Sequence, residues 1–276
     1  MHPENQTGAR FPELVEIMRR LLAPDGCPWD REQTLSSLRS YLLEEAHEVL
    51  EAIDRDDIAG HRDELGDLLF QIVFQAALRA RQGCFGIDDV CASIADKMRR
   101  RHPHVFGDLR VRDSAEVLQN WERLKAQEHA RAGQVRRTLD GVPVGLPALL
   151  RAQRLGEKAA AVGFDWPDIQ GIRDKVDEEL RELDQAIAAQ DPTAIEHEIG
   201  DLLFTLTRLS ARLGVAPEDA LRAANARFER RFRALEDQVL SDGKDLRTMT
   251  LQEMDVYWQQ AKARTCPSPA QKIGAP

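Results

Sequence analysis

Aromatic residues make up only 5% of this 276-residue chain, and β-branched residues do not gather in runs. Both shortages argue against sheets, whose pleated surfaces favour such side chains, and leave helices as the expected architecture. No apolar run approaches the ~20 residues that a bilayer-spanning helix needs. The start, Met1-His2-Pro3-Glu4-Asn5, lacks a basic segment followed by an apolar one, so no signal peptide is expected. Cysteine is scarce too. Cys27, Cys84, Cys91 and Cys266 show no Cys-x-x-Cys spacing, which predicts free thiols in a cytoplasmic protein. An excess of positive charge is also missing. The formal net charge of −9 argues against general affinity for nucleic acid or anionic membranes. It leaves room for an anion held through a metal and a local basic cluster.

What the chain does have is a repeat. Glu44–Phe70 recurs without a gap at Glu178–Phe204, an offset of 134, and 12 of the 27 aligned positions are identical. The shared positions include Glu-Glu-x-x-Glu (Glu44, Glu45, Glu48; Glu178, Glu179, Glu182) and the endings Glu64-x-Gly66-Asp67-Leu-Leu-Phe and Glu198-x-Gly200-Asp201-Leu-Leu-Phe. The repeat predicts two all-α bundles in tandem, each of about 120 residues. The expected division is a loose terminus over 1–10, a first domain over 11–132, a Gly/Pro-bearing linker over 133–147, a second domain over 148–264 and a disordered tail over 265–276.

Helical periodicity begins with Leu14, Ile17, Met18, Leu21 and Leu22 and gives way to a Pro/Gly loop at 24–30. Further helices are expected from near Ser36 to Arg55 and from near Asp57 to Arg81. Another, capped at Asp88 or Asp89, is stopped by Pro103, and one capped at Asp113 or Ser114 carries Trp121 and Lys125. The second copy repeats the plan. Asp168 caps one helix and Asp191-Pro192 opens the next. Gly214 and Pro217 separate two more, and Thr250-Leu-Gln-Glu253 is a capping box ahead of Trp258 and Lys262.

Acids spaced Glu-Glu-x-x-Glu usually mark a solvated helix face. Here they lie on or beside the apolar stripes: Glu45 follows Leu42 by three residues and precedes Val49 by four. Gly66 and Gly200 sit inside helices, where glycine costs about 1 kcal/mol against alanine, which suggests close approach of a helix or a ligand. Carboxylates converging in a half-buried groove need a cation. Oxygen-only donors select Mg²⁺ first and Mn²⁺ second. A di-iron bundle fits Glu44-x-x-His47 only superficially, because Arg181 replaces the histidine in the other copy. Later in each copy come cations. Lys97 and Arg101 align with Arg227 and Arg231, and Trp121-x-x-x-Lys125 answers Trp258-x-x-x-Lys262. The basic run at 99–102 fits either a helix C-terminus complementing its dipole or, with its matched partners, phosphate binding. The tryptophans fit either a core or a base pocket.

At these residues, and at Arg-Arg-His-Pro-His-Val-Phe (100–106) and Phe-Glu-Arg-Arg-Phe (228–232), the chain resembles the MazG family of nucleoside triphosphate pyrophosphohydrolases in its tandem form. The resemblance spans about residues 11–264. It implies a Mg²⁺-dependent enzyme, a homodimer, and hydrolysis of NTPs or dNTPs to monophosphate and pyrophosphate. Carried over, the metal ligands are Glu45, Glu48, Glu64 and Asp67, and again Glu179, Glu182, Glu198 and Asp201. Substrate contacts fall on Arg227, Arg231, Trp258 and Lys262, and by internal homology on Lys97, Arg101, Trp121 and Lys125. The family favours Lys where Arg227 stands; charge is kept but geometry differs. Glu182 and Glu48 are the candidate proton acceptors for the attacking water, and the second copy is favoured as the main catalytic one. Two other classes stay open: a narrow all-α pyrophosphohydrolase acting on dUTP or phosphoribosyl-ATP, and a non-catalytic helical interaction module.

Overall fold

The computed structural model describes residues 8–113, 116, 117, 120, 121, 123, 124 and 137–265. Among these every regular element is a helix, as expected. Contacts divide the chain into two units, Met1–Gln134 and Val135–Pro276.

In the first unit α1 (Phe11–Leu21), α2 (Pro28–Glu32), α3 (Leu38–Asp54), α4 (Ile58–Arg81) and α5 (Ile87–Arg101) precede a single turn, α6 (Pro103–Phe106). The long α3 and α4 pack as a hairpin, with α1 laid on α4. Met18, Leu22, Leu38, Val73, Phe74 and Leu78 form the core, and Leu14 and Tyr41 pack at its edge. Ile17, expected on the buried stripe, is instead 47% exposed. The 24–30 stretch is not all loop: Pro28 opens α2 at a position where its missing N–H costs nothing. The cap of α5 is Gly86 rather than Asp88 or Asp89. Asp89 acts from inside the helix, its carboxylate accepting from the Gly86 N–H at 2.8 Å. Around Trp121 the described residues are helical, and Asp113 accepts from the Glu116 N–H at 2.9 Å. Lys125, Cys266, residues 1–7, part of the expected linker and the tail beyond 265 lie outside the described residues.

The second unit contains α7 (Ala148–Ala160), α8 (Ile169–Ala189), α9 (Pro192–Arg212), α10 (Pro217–Ser241), a 3₁₀ turn (Leu246–Thr248) and α11 (Leu251–Thr265). Its sequence-read caps all form. Asp168 accepts from the Gly171 N–H at 2.9 Å. Thr250 and Glu253 close the capping box, with the Glu253 carboxylate accepting from the Thr250 N–H at 2.8 Å. Helices α8 and α9 pair as α3 and α4 do, α7 packs on α9, and α10 pairs with α11 over Leu235, Val239, Tyr257 and Ala261. Cys27, Cys84 and Cys91 are free. No helix among the described residues is long and apolar enough to cross a membrane.

Candidate metal and triphosphate site

The turn between the two acid-bearing helices explains part of the repeat. Asp57 caps α4, its carboxylate accepting from the Gly60 N–H at 2.9 Å, and Asp191 caps α9 through the Thr193 N–H at 3.0 Å. The residue before each cap, Asp56 or Gln190, is left-handed at φ +54°. This shared geometry sets the register. Glu48 and Glu64 stand eight residues either side of Asp56, and Glu45 and Asp67 stand eleven; Glu182, Glu198, Glu179 and Asp201 stand likewise about Gln190. At 1.5 Å rise per residue, equal counts from the turn bring each pair level across an antiparallel hairpin.

The levels show in the side chains. One carboxylate oxygen each from Glu45, Glu48 and Glu64 lies within 4.8 Å of the others, and Glu179, Glu182 and Glu198 form the same trio. Asp67 and Asp201 are exposed and stand outside those trios. They still act through charge. Burial, then Asp67 and Glu48, push the Glu45 carboxyl above the usual range. Burial, then Glu48 and Asp67, raise Glu64. Burial, then Glu182, Glu179 and Asp201, raise Glu198. Each hairpin thus concentrates negative charge that a cation would relieve.

Among the described residues no other helix closes on Gly66 or Gly200. A Cβ at either would meet no atom within 4 Å, so both face open space beside the acids. Of the two expected neighbours, a helix or a ligand, no helix among the described residues takes that space, which stays available to a ligand or a second chain.

Sequence reasoning missed one cation. Lys175, a turn before the second acid motif, places its Nζ 2.8 Å from Glu178 and 3.0 Å from the buried Glu179. Hydrogen bonds to Glu178 and Glu179 hold its ammonium well above the ordinary lysine range. Its spacing of i+3 and i+4 to two glutamates was the available signal. The first copy has Tyr41 at that position, edge-on to Trp29 at 5.8 Å.

The expected phosphate-binding residues occupy other helices. Arg227 is exposed and Arg231 half-buried on α10. Trp258 on α11 packs against the α10–α11 core, with Phe228 5.4 Å from its ring and Lys262 Nζ 5.8 Å from it. Helix α10 touches α9, which carries Glu198 and Asp201. In the first unit Lys97 lines a cleft of about 350 Å³ with Phe85, Asp89, Val90, Ser93 and Ile94. Arg101 ends α5, and Trp121 meets His102 edge-on at 5.0 Å.

Residues 33–106 match the family described as the MazG nucleotide pyrophosphohydrolase domain, and residues 163–228 match phosphoribosyl-ATP pyrophosphohydrolase. A nucleoside triphosphate pyrophosphohydrolase of Escherichia coli K12 is 46% identical over 252 residues, covering 90% of this chain and 95% of the relative. A nucleoside triphosphate pyrophosphohydrolase/pyrophosphatase MazG of Thermotoga maritima is 43% identical over 257 residues, covering 93% and 97%.

Proposed function

The chain belongs to the MazG family of nucleoside triphosphate pyrophosphohydrolases, and from that premise we propose that it hydrolyses a broad set of NTPs and dNTPs to monophosphate and pyrophosphate with Mg²⁺. The observation that carries this reading is the doubled carboxylate trio, built in the same register on two hairpins. Its chemistry suits a hard divalent ion. Oxygen ligands of Mg²⁺ at about 2.0–2.1 Å lie at most about 4.2 Å apart, so small side-chain rotations from the observed spacing complete a site. Mn²⁺ is the expected substitute.

Glu179, Glu182, Glu198 and Asp201 would hold the ion in the second copy, and Glu45, Glu48, Glu64 and Asp67 in the first. Bound there, the ion supplies positive charge to phosphate oxygens and acidifies water. Glu182 and Glu48 take the proton of the attacking water at a carboxylate oxygen. Arg227, Arg231 and Lys262 stabilise the departing pyrophosphate, with Lys97, Arg101 and Lys125 as their first-copy counterparts. Trp258 and Trp121 face the base. Lys175, paired with Glu178 and Glu179, adds a positive charge beside the second set of acids.

Incubating the pure protein with several NTPs and Mg²⁺ tests this directly. Monophosphate and pyrophosphate are expected from most bases, with EDTA abolishing turnover; NDP with orthophosphate, or no product, would overturn it. Adding Mg²⁺ to the metal-free protein is also expected to raise its melting temperature, because it relieves the repulsion within each trio. The match of residues 163–228 to phosphoribosyl-ATP pyrophosphohydrolase favours including that substrate in the panel, where cleavage of it alone would establish a narrow enzyme.

The same hairpins also support a homodimer. Leu43, Ile53 and Leu65 are 60%, 52% and 46% exposed, and Ile187, Ile199 and Leu203 are 53%, 44% and 49% exposed. Apolar faces of that extent, beside glycines with open space before them, suit burial against a second copy. Light scattering is expected to return twice the 31.1 kDa chain mass. A monomer at micromolar concentration would refute the pairing.

A further inference from the structure

The two copies share their acids but not the surroundings of their tryptophans. With Lys97 opposite Arg227 and Arg101 opposite Arg231, Met98 falls opposite Phe228 and His102 opposite Phe232. In the second copy Phe228 stacks on Phe232 at 5.8 Å and leans on Trp258 at 5.4 Å. Phe228 and Phe232 are 56% and 37% exposed. That seat is an open aromatic surface edged by the Lys262 ammonium. Every base has a π-face, so stacking of this kind tolerates any base.

The first copy puts hydrogen-bonding rings there. His102 stands 5.0 Å from Trp121 and 5.6 Å from His104. Its Nδ1 donates to the Met98 carbonyl at 2.7 Å, which leaves Nε2 as an acceptor in the neutral ring. Two further atoms in the cluster, Trp121 Nε1 and His104 Nδ1, are buried and have no hydrogen-bond partner among the described residues. Trp121 Nε1 is always a donor, and His104 Nδ1 is an acceptor or a donor according to tautomer. A buried polar atom without a partner is costly and uncommon, so each is suited to hydrogen-bond a complementary group. No such unpartnered atom occurs around Trp258 among the described residues.

We propose that the two copies read the base by different physics: the second accepts any base by stacking, and the first selects its base by hydrogen bonds from His102, His104 and Trp121. The ligand of the first seat is a nucleoside triphosphate whose base edge offers complementary donors and acceptors. The inference rests on the reading that Trp121 and Trp258 face the base. His102 lies against both of the other rings, 5.0 Å from Trp121 and 5.6 Å from His104. A site built to hydrogen-bond a base rejects those that leave its polar atoms unpaired.

The test compares binding rather than turnover, so it stands whether or not the first copy is active. Calorimetric titration with non-hydrolysable analogues of four NTPs, in Mg²⁺, would use the full chain carrying either Trp258→Ala or Trp121→Ala. With Trp258→Ala, the remaining first seat is expected to separate the four bases by about tenfold or more. With Trp121→Ala, the second seat is expected to hold them within about threefold. His102→Phe or His104→Phe in the Trp258→Ala background should flatten the first seat, and two separate substitutions guard against one misfolding. Equal affinities in the first seat, or no binding there while the second binds, would overturn the proposal. Failure of the broader reading looks different: neither protein binds any analogue, and the wild-type chain releases no pyrophosphate.

Discussion

Replacing Glu198 by glutamine is expected to lower pyrophosphate release by about a thousandfold while raising the melting temperature of the metal-free protein. The loss of rate is of the size seen when one preorganised electrostatic group is removed from a site that stabilises developing charge. Glutamine keeps the shape and one oxygen but gives up the charge that holds a hard cation. The gain in stability comes from the same change. Burial, then Glu182, Glu179 and Asp201, raise the Glu198 carboxyl, so its ionised form works against folding. A raised folded-state value makes the protonated form the stable one, and stability is lost as pH rises through that value. Glutamine mimics the protonated form at every pH. Steady-state assays and calorimetry on Glu198→Gln, Asp201→Asn and Glu64→Gln read both effects. Full activity in the first two alongside loss in the third would move the main catalytic role to the first copy.

Arg208→Ala is expected to destabilise the second unit by about 3 kcal/mol, since it removes one partner of a buried ion pair. Arg208 on α9 is 7% exposed and donates to Asp165 at 2.9 Å, with Arg212 3.5 Å from the same carboxylate. Its side chain lies over Gly156 of α7, where an added Cβ would come within 2.4 Å of the arginine Cδ. Burial works to raise the Asp165 carboxyl, but the hydrogen bond and charge of Arg208, helped by Arg212, hold it below the ordinary range. Its contribution to stability is therefore present above the unfolded value of about 3.9 and is lost as pH falls through the lower folded value. Acid thus acts oppositely on Asp165 and on Glu198. Hydrogen–deuterium exchange over 148–212 in the full chain would register the faster opening; unchanged protection would show that the pair contributes nothing. The first copy makes the comparison without mutation, because Phe74 stands at this repeat position, 1% exposed.

That contrast shows where sequence reading ran short. An arginine near a helix end looks like a surface residue, and nothing local to Arg208 or Asp165 reveals that they meet 43 residues apart under α7. Lys175 was legible in principle from its spacing to Glu178 and Glu179, yet a lysine beside acids is so common on helix surfaces that its link to the buried Glu179 needed coordinates. The glycines left two readings open for a similar reason. A helical glycine reports that something needs the space, and only the packing around Gly66 and Gly200 shows that no helix of the described chain takes it.

By itself the sequence determined the all-helical class, the doubled acid motif, most helix caps and the family. These depend on periodicity, on side chains that bond to backbone a few residues away, and on repeated spacing, all of which are local in the chain. Tertiary structure decided which carboxylates converge, that Lys175 bonds the buried Glu179, that a buried ion pair replaces an apolar contact in the second unit, and that Trp121 and Trp258 sit among different rings. Those outcomes depend on packing between segments far apart in sequence, where a shift of one helical turn would exchange every neighbour.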